Sequence, residues 1–376
     1  MIQDNPFVIN GYKGEDYFCD RVEETALLKR HLTNNCNVAL ISPRRLGKSG
    51  LIRHTFAQNE IKDNYYVFII DIYETKNLNE FVYELGRGIF NTLKSRSRKA
   101  WDKFFGLLLS LRQGISFDAA GMPEWNITIG DIRRPDITLD EIFMYLEHAD
   151  RPCLVAIDEF QTISEYPEKT VEAMLRTRIQ TCGNAHFVFS GSKRHMMAEM
   201  FMTASHPFYQ SASVIGLSPI DREVYYDFVS RHLSSIGKSI SSEAFDYIYD
   251  LFDGITWYIQ YVMNILYTES SDSASLDVND VSGAIEKILH QQAFAYKTLL
   301  YQLTARQKQL LFAIAEQGKA TGMMSREFLS RYGLSASSVQ NALKVLLDRD
   351  FITQDEDGCR LYDKFFEIWL RGGYLS

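Results

Sequence analysis

The stretch ALISPRRLGKSGLI, residues 39–52, contains Gly47-Lys48-Ser49. Glycine, lysine and a hydroxyl residue at a helix start form the closing half of the pattern G-x-x-x-x-G-K-[ST]. In such a loop successive backbone N–H groups point at phosphate oxygens. The lysine reaches the β and γ phosphates and the hydroxyl ligates Mg²⁺. Residues Pro43, Arg44, Arg45, Leu46, Gly47, Lys48, Ser49 and Gly50 are therefore the expected ATP·Mg²⁺ loop. The first glycine of the pattern falls on position 42, which is serine. A small side chain fits there if the backbone angle is an ordinary one.

A second set of chemical groups lies far downstream, in LVAIDEF. An acid at the tip of a neighbouring strand is the usual source of the second Mg²⁺ contact, which assigns that role to Asp158. Glu159 is then placed to polarise an attacking water as general base. Further on, FVFSGS offers Ser190 and Ser192. Either hydroxyl could meet the γ-phosphate or the water, or cap the next helix. Asp71 could stand behind the Mg²⁺ ligands or be a plain strand-end acid. Arg44 and Arg45 have γ-phosphate, partner and surface readings open to them.

These groups need elements to hold them. Short apolar runs at 37–42, 65–73, 152–160, 185–192 and 211–217 read as strands, with helical patterns between them, the first over 46–58. Continuous apolar strands alternating with helices predict an α/β fold, a five-stranded parallel sheet covered on both faces. GISFDAAGMPEWNITIG (114–130) reads as a β-hairpin inside an insertion at 101–150. The expected domains are a P-loop ATPase domain at 1–217, a helical lid at 218–298 and a winged helix at 299–376. Asp221 and Ser241 read as helix N-caps and Gly254 as a helix stop.

SPRRLGKSGL, LVAIDEFQ, VFSGS, the upstream FCDRVEETALLKRHL and the C-terminal LYDKFFEIWLR together resemble the archaeal-type P-loop ATPases. These are grouped with the STAND signalling ATPases, are related to AAA+ proteins, and occur in bacteria as well as archaea. The resemblance covers nearly the whole chain, and the paired arginines before Gly47 are its most specific mark. It implies that Phe18-Cys19-Asp20-Arg21 packs beside adenine, so Asp20 and Arg21 join the expected nucleotide-binding residues. Two stretches depart from the family pattern. A Gly-x-Pro before a tyrosine is replaced by Gly254-Ile255-Thr256-Trp257-Tyr258, and Pro-Leu-Tyr-Gly-Arg by Pro207-Phe208-Tyr209-Gln210-Ser211. The second removes an arginine, and Lys193-Arg194 is the nearest basic alternative.

The C-terminal segment reads as helices at 301–317, 325–332 and 335–348, then a hairpin, the order of a winged helix-turn-helix. Val339, Ala342, Leu343 and Leu346 follow helical spacing. Ser337, Ser338, Gln340, Asn341 and Lys344 would face outward, and Gln and Asn can read adenine edges. Phosphate contacts, however, need Lys and Arg. Residues 299–376 hold ten of these against nine acids, three of them at the wing tip Asp355-Glu356-Asp357. Protein packing or regulation is the favoured role of this segment, with DNA as the alternative.

Whole-chain properties narrow the classes. With 46% apolar and 23% charged residues the chain has the balance of a soluble globular protein. A net charge of −8 argues against coating nucleic acid or anionic membrane. No run approaches the ~20 apolar residues of a membrane span, and no signal peptide is read at MIQDNPFVIN. Five cysteines with no C-x-x-C pair fit a reducing cytoplasm. Lys94, Arg96, Arg98, Lys99 and Lys103 form a basic run expected on one helix. The functional expectation is a slow ATPase switch acting on protein partners or by self-assembly. Its alternatives are a nucleotide-gated DNA-binding regulator and a scaffold that binds nucleotide without hydrolysis.

Overall fold

The structure is a computed structural model that describes residues 4–110, 115–117, 123–271, 273–355 and 358–373. The chain divides into two compact units, residues 10–221 and residues 1–9 with 222–376.

In the first unit, helices α1 (Val22–Thr33), α2 (Lys48–Ala57), α3 (Asn59–Lys62), α4 (Leu78–Arg96), α5 (Arg98–Leu107), α6 (Pro135–His148), α7 (Val171–Thr181) and α8 (Arg194–Met202) surround a central sheet. The sheet holds β1 (Val38–Ile41), β2 (Tyr66–Asp71), β5 (Cys153–Asp158), β6 (Ala185–Gly191) and β7 (Ser213–Gly216) in the order β2-β5-β6-β1-β7. Every pairing in it is parallel. The inner stretches of the strands are apolar on both faces because alternate side chains enter different cores. Val38, Leu40, Leu154, Ala156 and Val188 pack with Leu28, Leu51 and Phe56. Ala39, Phe68, Val155, Ile157, Phe187 and Phe189 pack with Phe81, Leu85, Ile142 and Leu175.

One consequence of this order corrects the sequence reading. The strand carrying Asp158 does not neighbour the strand that feeds the phosphate loop, because β6 lies between them. Strand order is set by crossovers rather than by local pattern, so a strand late in sequence can be inserted at the centre. β1 is then flanked by β6 and β7, which makes its C-terminal end a topological switch point, the usual place for a ligand in an open α/β sheet.

The insertion carries β3 (Ile115–Phe117) and β4 (Pro123–Trp125), which pair antiparallel as a separate two-stranded sheet. The expected turn residues Gly121 and Met122 lie outside the described residues. Trp125 lies against Phe90 at 5.1 Å between ring centroids. The basic run is split between two helices rather than carried on one. Ser97 is extended between α4 and α5, and its side chain accepts from Ala100 N–H.

The second unit contains α9 (Arg222–Ser234), β8 (Ser239–Ile240), α10 (Ser242–Leu251), α11 (Thr256–Glu269), β9 (Ser275–Leu276) and α12 (Val278–Tyr301). Beyond them lie α13 (Ala305–Gln317), α14 (Arg326–Tyr332), α15 (Ala336–Asp348), β10 (Ile352–Asp355), β11 (Gly358–Leu361) and α16 (Lys364–Arg371). Ser241 caps α10 by accepting from Ala244 N–H, and Gly254, at φ +67°, ends it by donating to Tyr249 O. The border expected at 298/299 falls inside the continuous helix α12. Helices α13 to α15 followed by the antiparallel pair β10–β11 form the winged helix. Residues 4–9, expected with the nucleotide unit, pack here instead. Phe7 is fully buried between Phe228 and Tyr267, and Asn5 and Asn264 each donate to the other segment's backbone.

Candidate functional site

The loop between β1 and α2 has the backbone of a phosphate cradle. Gly47 stands at φ +95°, where only glycine is at ease, and a Cβ placed there would meet nothing within 4 Å. Arg45 also takes a left-handed angle, φ 69°. Ser42 does not, which explains how serine replaces the pattern's first glycine. Its hydroxyl is buried and donates to Pro43 O at 3.1 Å. Leu46 is buried, and its carbonyl accepts from the Arg21 guanidinium at 3.2 Å. Arg21 is itself buried, in left-handed conformation beside Asp20, and paired with Glu24 at 2.8 Å. The stretch before α1 thus braces the loop from below.

Lys48 is 6% exposed, and its ammonium donates to Ser42 O at 2.9 Å and Pro43 O at 3.1 Å. Burial pushes its pKa down to about 8, against the raising influence of Glu159 and Asp158. An anion arriving at the loop would meet a cation already desolvated, in which electrostatic attraction is strong. Ser49 Oγ donates to Asp158 Oδ2 at 2.7 Å, across the interposed strand. The structure thus brings the two expected Mg²⁺ ligands together. Two hard oxygen ligands suit an ion that keeps waters and phosphate oxygens in its remaining positions. Among the described residues no cluster of three or more His, Cys, Asp or Glu could hold a metal by protein ligands alone.

Glu159 follows in left-handed conformation, φ 56°, with its N–H on Asp158 Oδ1. A non-glycine residue at such an angle is held there by its surroundings, a common feature of functional sites. Its carboxylate Oε2 accepts from Gln161 Nε2 at 2.6 Å and from Ser192 Oγ at 2.7 Å. Ser192 in turn accepts from Arg44 Nε at 3.0 Å. Arg44 also lies over the Tyr73 ring at 5.6 Å. Of the two serines offered by the sequence, Ser192 makes the contacts. Ser190 is fully buried with no partner for its hydroxyl. Asp71 pairs in register with Asp158 at the sheet end, and burial raises its pKa. Lys193 is spent on Glu165 at 2.9 Å.

Gln161 was not legible as a site residue, since a glutamine after DEF carries no pattern. The available hint was Gly191, a glycine in a strand, which often marks a close approach. Beside the loop, Phe18 stacks on His54 of α2 at 4.2 Å. His54 Nδ1 is hydrogen-bonded to Tyr12 Oη at 2.9 Å, and burial lowers its pKa. In the second unit, Tyr258 of the departing Gly254–Tyr258 stretch accepts from Lys364 N–H at 2.9 Å and stacks on Phe252. On α15, Gln340, Asn341, Lys344 and Ser337 are exposed, whereas Ser338 is spent in the helix cap with Ser335. Two of the three wing-tip acids, Glu356 and Asp357, lie outside the described residues.

Comparison with known proteins agrees with this fold. A family model described as "ATPase domain predominantly from Archaea" matches residues 18–262. A second, described as "probable winged helix domain", matches residues 294–372. Among solved structures, the Walker-type ATPase of Pyrococcus abyssi is similar over 97% of this chain and 99% of its own, at 18% identity and a TM-score of 0.67. The ADP form of the ORC2 protein of Aeropyrum pernix is similar over 99% of this chain and 98% of its own, at 15% identity and a TM-score of 0.55. Both likenesses are of fold. Among curated proteins none matches significantly. With a phosphate loop, a Ser49–Asp158 hydrogen bond beside it and a matched span covering most of its length, the chain belongs to the family of ATPase domains found predominantly in Archaea and carries a winged helix at its C-terminal end.

Proposed function

We propose that the chain hydrolyses ATP with Mg²⁺ at the β1–α2 loop and uses the cycle as a slow switch on protein partners or on its own assembly. The observation that carries this reading is the contact of Ser49 with Asp158, next to a clamped Glu159 and a buried Lys48. The ADP and ADPNP complexes of the A. pernix ORC2 protein support adenine nucleotides as ligands of this fold.

The residues divide the work as follows. Backbone N–H groups of residues 43–49 and the Lys48 ammonium bind the phosphates and hold their charge. Ser49 and Asp158 would hold Mg²⁺, which when bound neutralises charge on the β and γ phosphate oxygens. Glu159 takes a proton from the attacking water as its oxygen bonds to the γ-phosphorus. The bond from that phosphorus to the β–γ bridging oxygen breaks, and ADP leaves with the bond's electrons. ATP and water become ADP and phosphate. In such enzymes an arginine at the γ-phosphate contributes roughly 10³ to 10⁵ in rate. Pro207–Ser211 supplies none, and an arginine brought by a partner or a second copy would make turnover responsive to assembly.

DNA binding through α15 is the second reading, favoured by exposed Gln340, Asn341 and Lys344. Ten basic against nine acidic residues over 299–376 leave it behind the first. Retention on DNA that falls steeply with salt would reverse that order. The direct test of the first reading is Glu159→Gln under single-turnover conditions. Hydrolysis should fall by at least ~100-fold, the lower range for loss of a general base, with ATP affinity retained. An unchanged rate refutes the assignment.

A further inference from the structure

We infer that Gln161 and Ser192 are positioning residues for the general base, and that Arg44 orients the Ser192 hydroxyl, tying the base to the phosphate loop. This rests on Glu159 being the base, as proposed above. Both donors land on Oε2 of Glu159, from Gln161 Nε2 at 2.6 Å and Ser192 Oγ at 2.7 Å. With Oε2 so held, Oε1 is the oxygen turned to other use. A carboxylate on a flexible side chain has no fixed aim, and two donors on one oxygen give it one.

Ser192 has a single proton to give. Arg44 Nε can only donate, and it reaches the same hydroxyl at 3.0 Å. The serine must therefore turn its proton away from Arg44 and toward the carboxylate. An arginine of the phosphate loop thus sets the direction of a hydrogen bond made to the base.

Gln161 shows the demands of this arrangement. It is 2% exposed, and its Oε1 has no partner. Reversing the amide would set that oxygen against the Glu159 carboxylate, so the orientation is fixed by charge. A buried acceptor left unpaired is unfavourable, and a methionine of similar volume would avoid it. The amide makes physical sense here as a donor to Glu159. Gly191 provides its space, since a Cβ at that position would stand 2.4 Å from Gln161 Oε1 and 2.5 Å from Met197 Sδ. β6 therefore ends in a glycine that admits the clamp and continues to the serine that completes it.

The test is single-turnover ATP hydrolysis by the full chain, with Kd for Mg-ATP measured alongside, for Ser192→Ala, Ser192→Thr, Gln161→Ala, Glu159→Gln and the combinations with Glu159→Gln. Ser192→Ala and Gln161→Ala should each lower the hydrolytic rate by about 10- to 100-fold, the range for a misplaced catalytic group, with Kd unchanged. Ser192→Thr keeps the hydroxyl and should restore most of the rate. Neither alanine change should lower the residual rate of Glu159→Gln further, because both act through that carboxylate. A merely structural role would instead weaken binding and persist in the Glu159→Gln background. Parental rates in the alanine variants, with Glu159→Gln inactive, overturn this inference and leave the base in place. Parental hydrolysis by Glu159→Gln overturns both. If Gln161→Ala fails to fold, the half-buried Ser192 pair decides alone, and a parental rate in Ser192→Ala refutes the clamp.

Discussion

Replacing Ser42 by glycine restores the usual phosphate-loop pattern, and the geometry says that nothing is gained. Ser42 has no left-handed backbone angle for glycine to relieve. What the serine supplies is a hydroxyl on Pro43 O at 3.1 Å and a carbonyl on Lys48 Nζ at 2.9 Å. Glycine keeps the carbonyl and loses the hydroxyl. The Pro43 carbonyl retains Lys48 at 3.1 Å, so no acceptor is orphaned and only the net value of one hydrogen bond is lost, about 0.5–1.5 kcal/mol. Greater freedom of the unfolded chain takes about 0.4–1 kcal/mol more. The sum is about 1–2.5 kcal/mol of destabilisation, or a fall of about 2–10 °C in the melting temperature of a unit this size. The groups offered to phosphate are the N–H donors further along the loop, so affinity should not change. Thermal melts of Ser42→Gly with titration of a fluorescent ATP analogue measure both quantities. A higher melting temperature, or affinity improved tenfold, would refute this account of position 42.

ATP affinity should weaken as pH rises above 8. Bound phosphate keeps the Lys48 ammonium protonated, whereas the free loop begins to lose that proton near pH 8 because burial depresses its pKa. Binding therefore takes up a proton in that range, and Kd should rise by up to ~10-fold per pH unit, a slope that Lys48→Arg abolishes; a flat profile in the parent contradicts it. Gly191→Ala should destabilise the first unit by about 1–3 kcal/mol through overpacking against Gln161 and Met197, seen as a lower denaturation midpoint. Parental stability in that variant would mean that β6 has more room than its contacts indicate.

The parts of the site legible in the sequence were those that a local pattern encodes. Gly47-Lys48-Ser49 opens α2 and Asp158-Glu159 ends β5, because strand, loop and helix are written in consecutive residues. The sheet's apolar strands were legible for the same reason. Strand order was not, since the placement of β6 between β1 and β5 depends on crossovers that leave no local trace. That placement also decides the choice between Ser190 and Ser192, as β6 ends between the phosphate loop and the acids. Gln161 stayed hidden because its role comes from a fold that sets it beside Glu159 under Gly191. The border expected at 298/299 lies inside an element for a different reason. Composition changes there, but the 24-residue helix α12 continues through it. The placement of Asn5 and Phe7 was unreadable because their partners lie on helices more than two hundred positions away.

That last separation has a consequence for synthesis. A ribosome releases chain from its N-terminus, and domains generally fold as units while it does so. Residues 10–221 can close their own core as soon as β7 is made. Phe7 and Asn5 cannot, because Phe228, Asn264 and Tyr267 have not yet been translated. Residues made before the first unit are therefore packed after it, and the second unit gathers its core from segments that lie on either side of the first in coding order. A fragment beginning at residue 222 would lack the phenylalanine that fills the space beside α9 and α11. A fragment ending at 221 would carry a phenylalanine with its pocket missing.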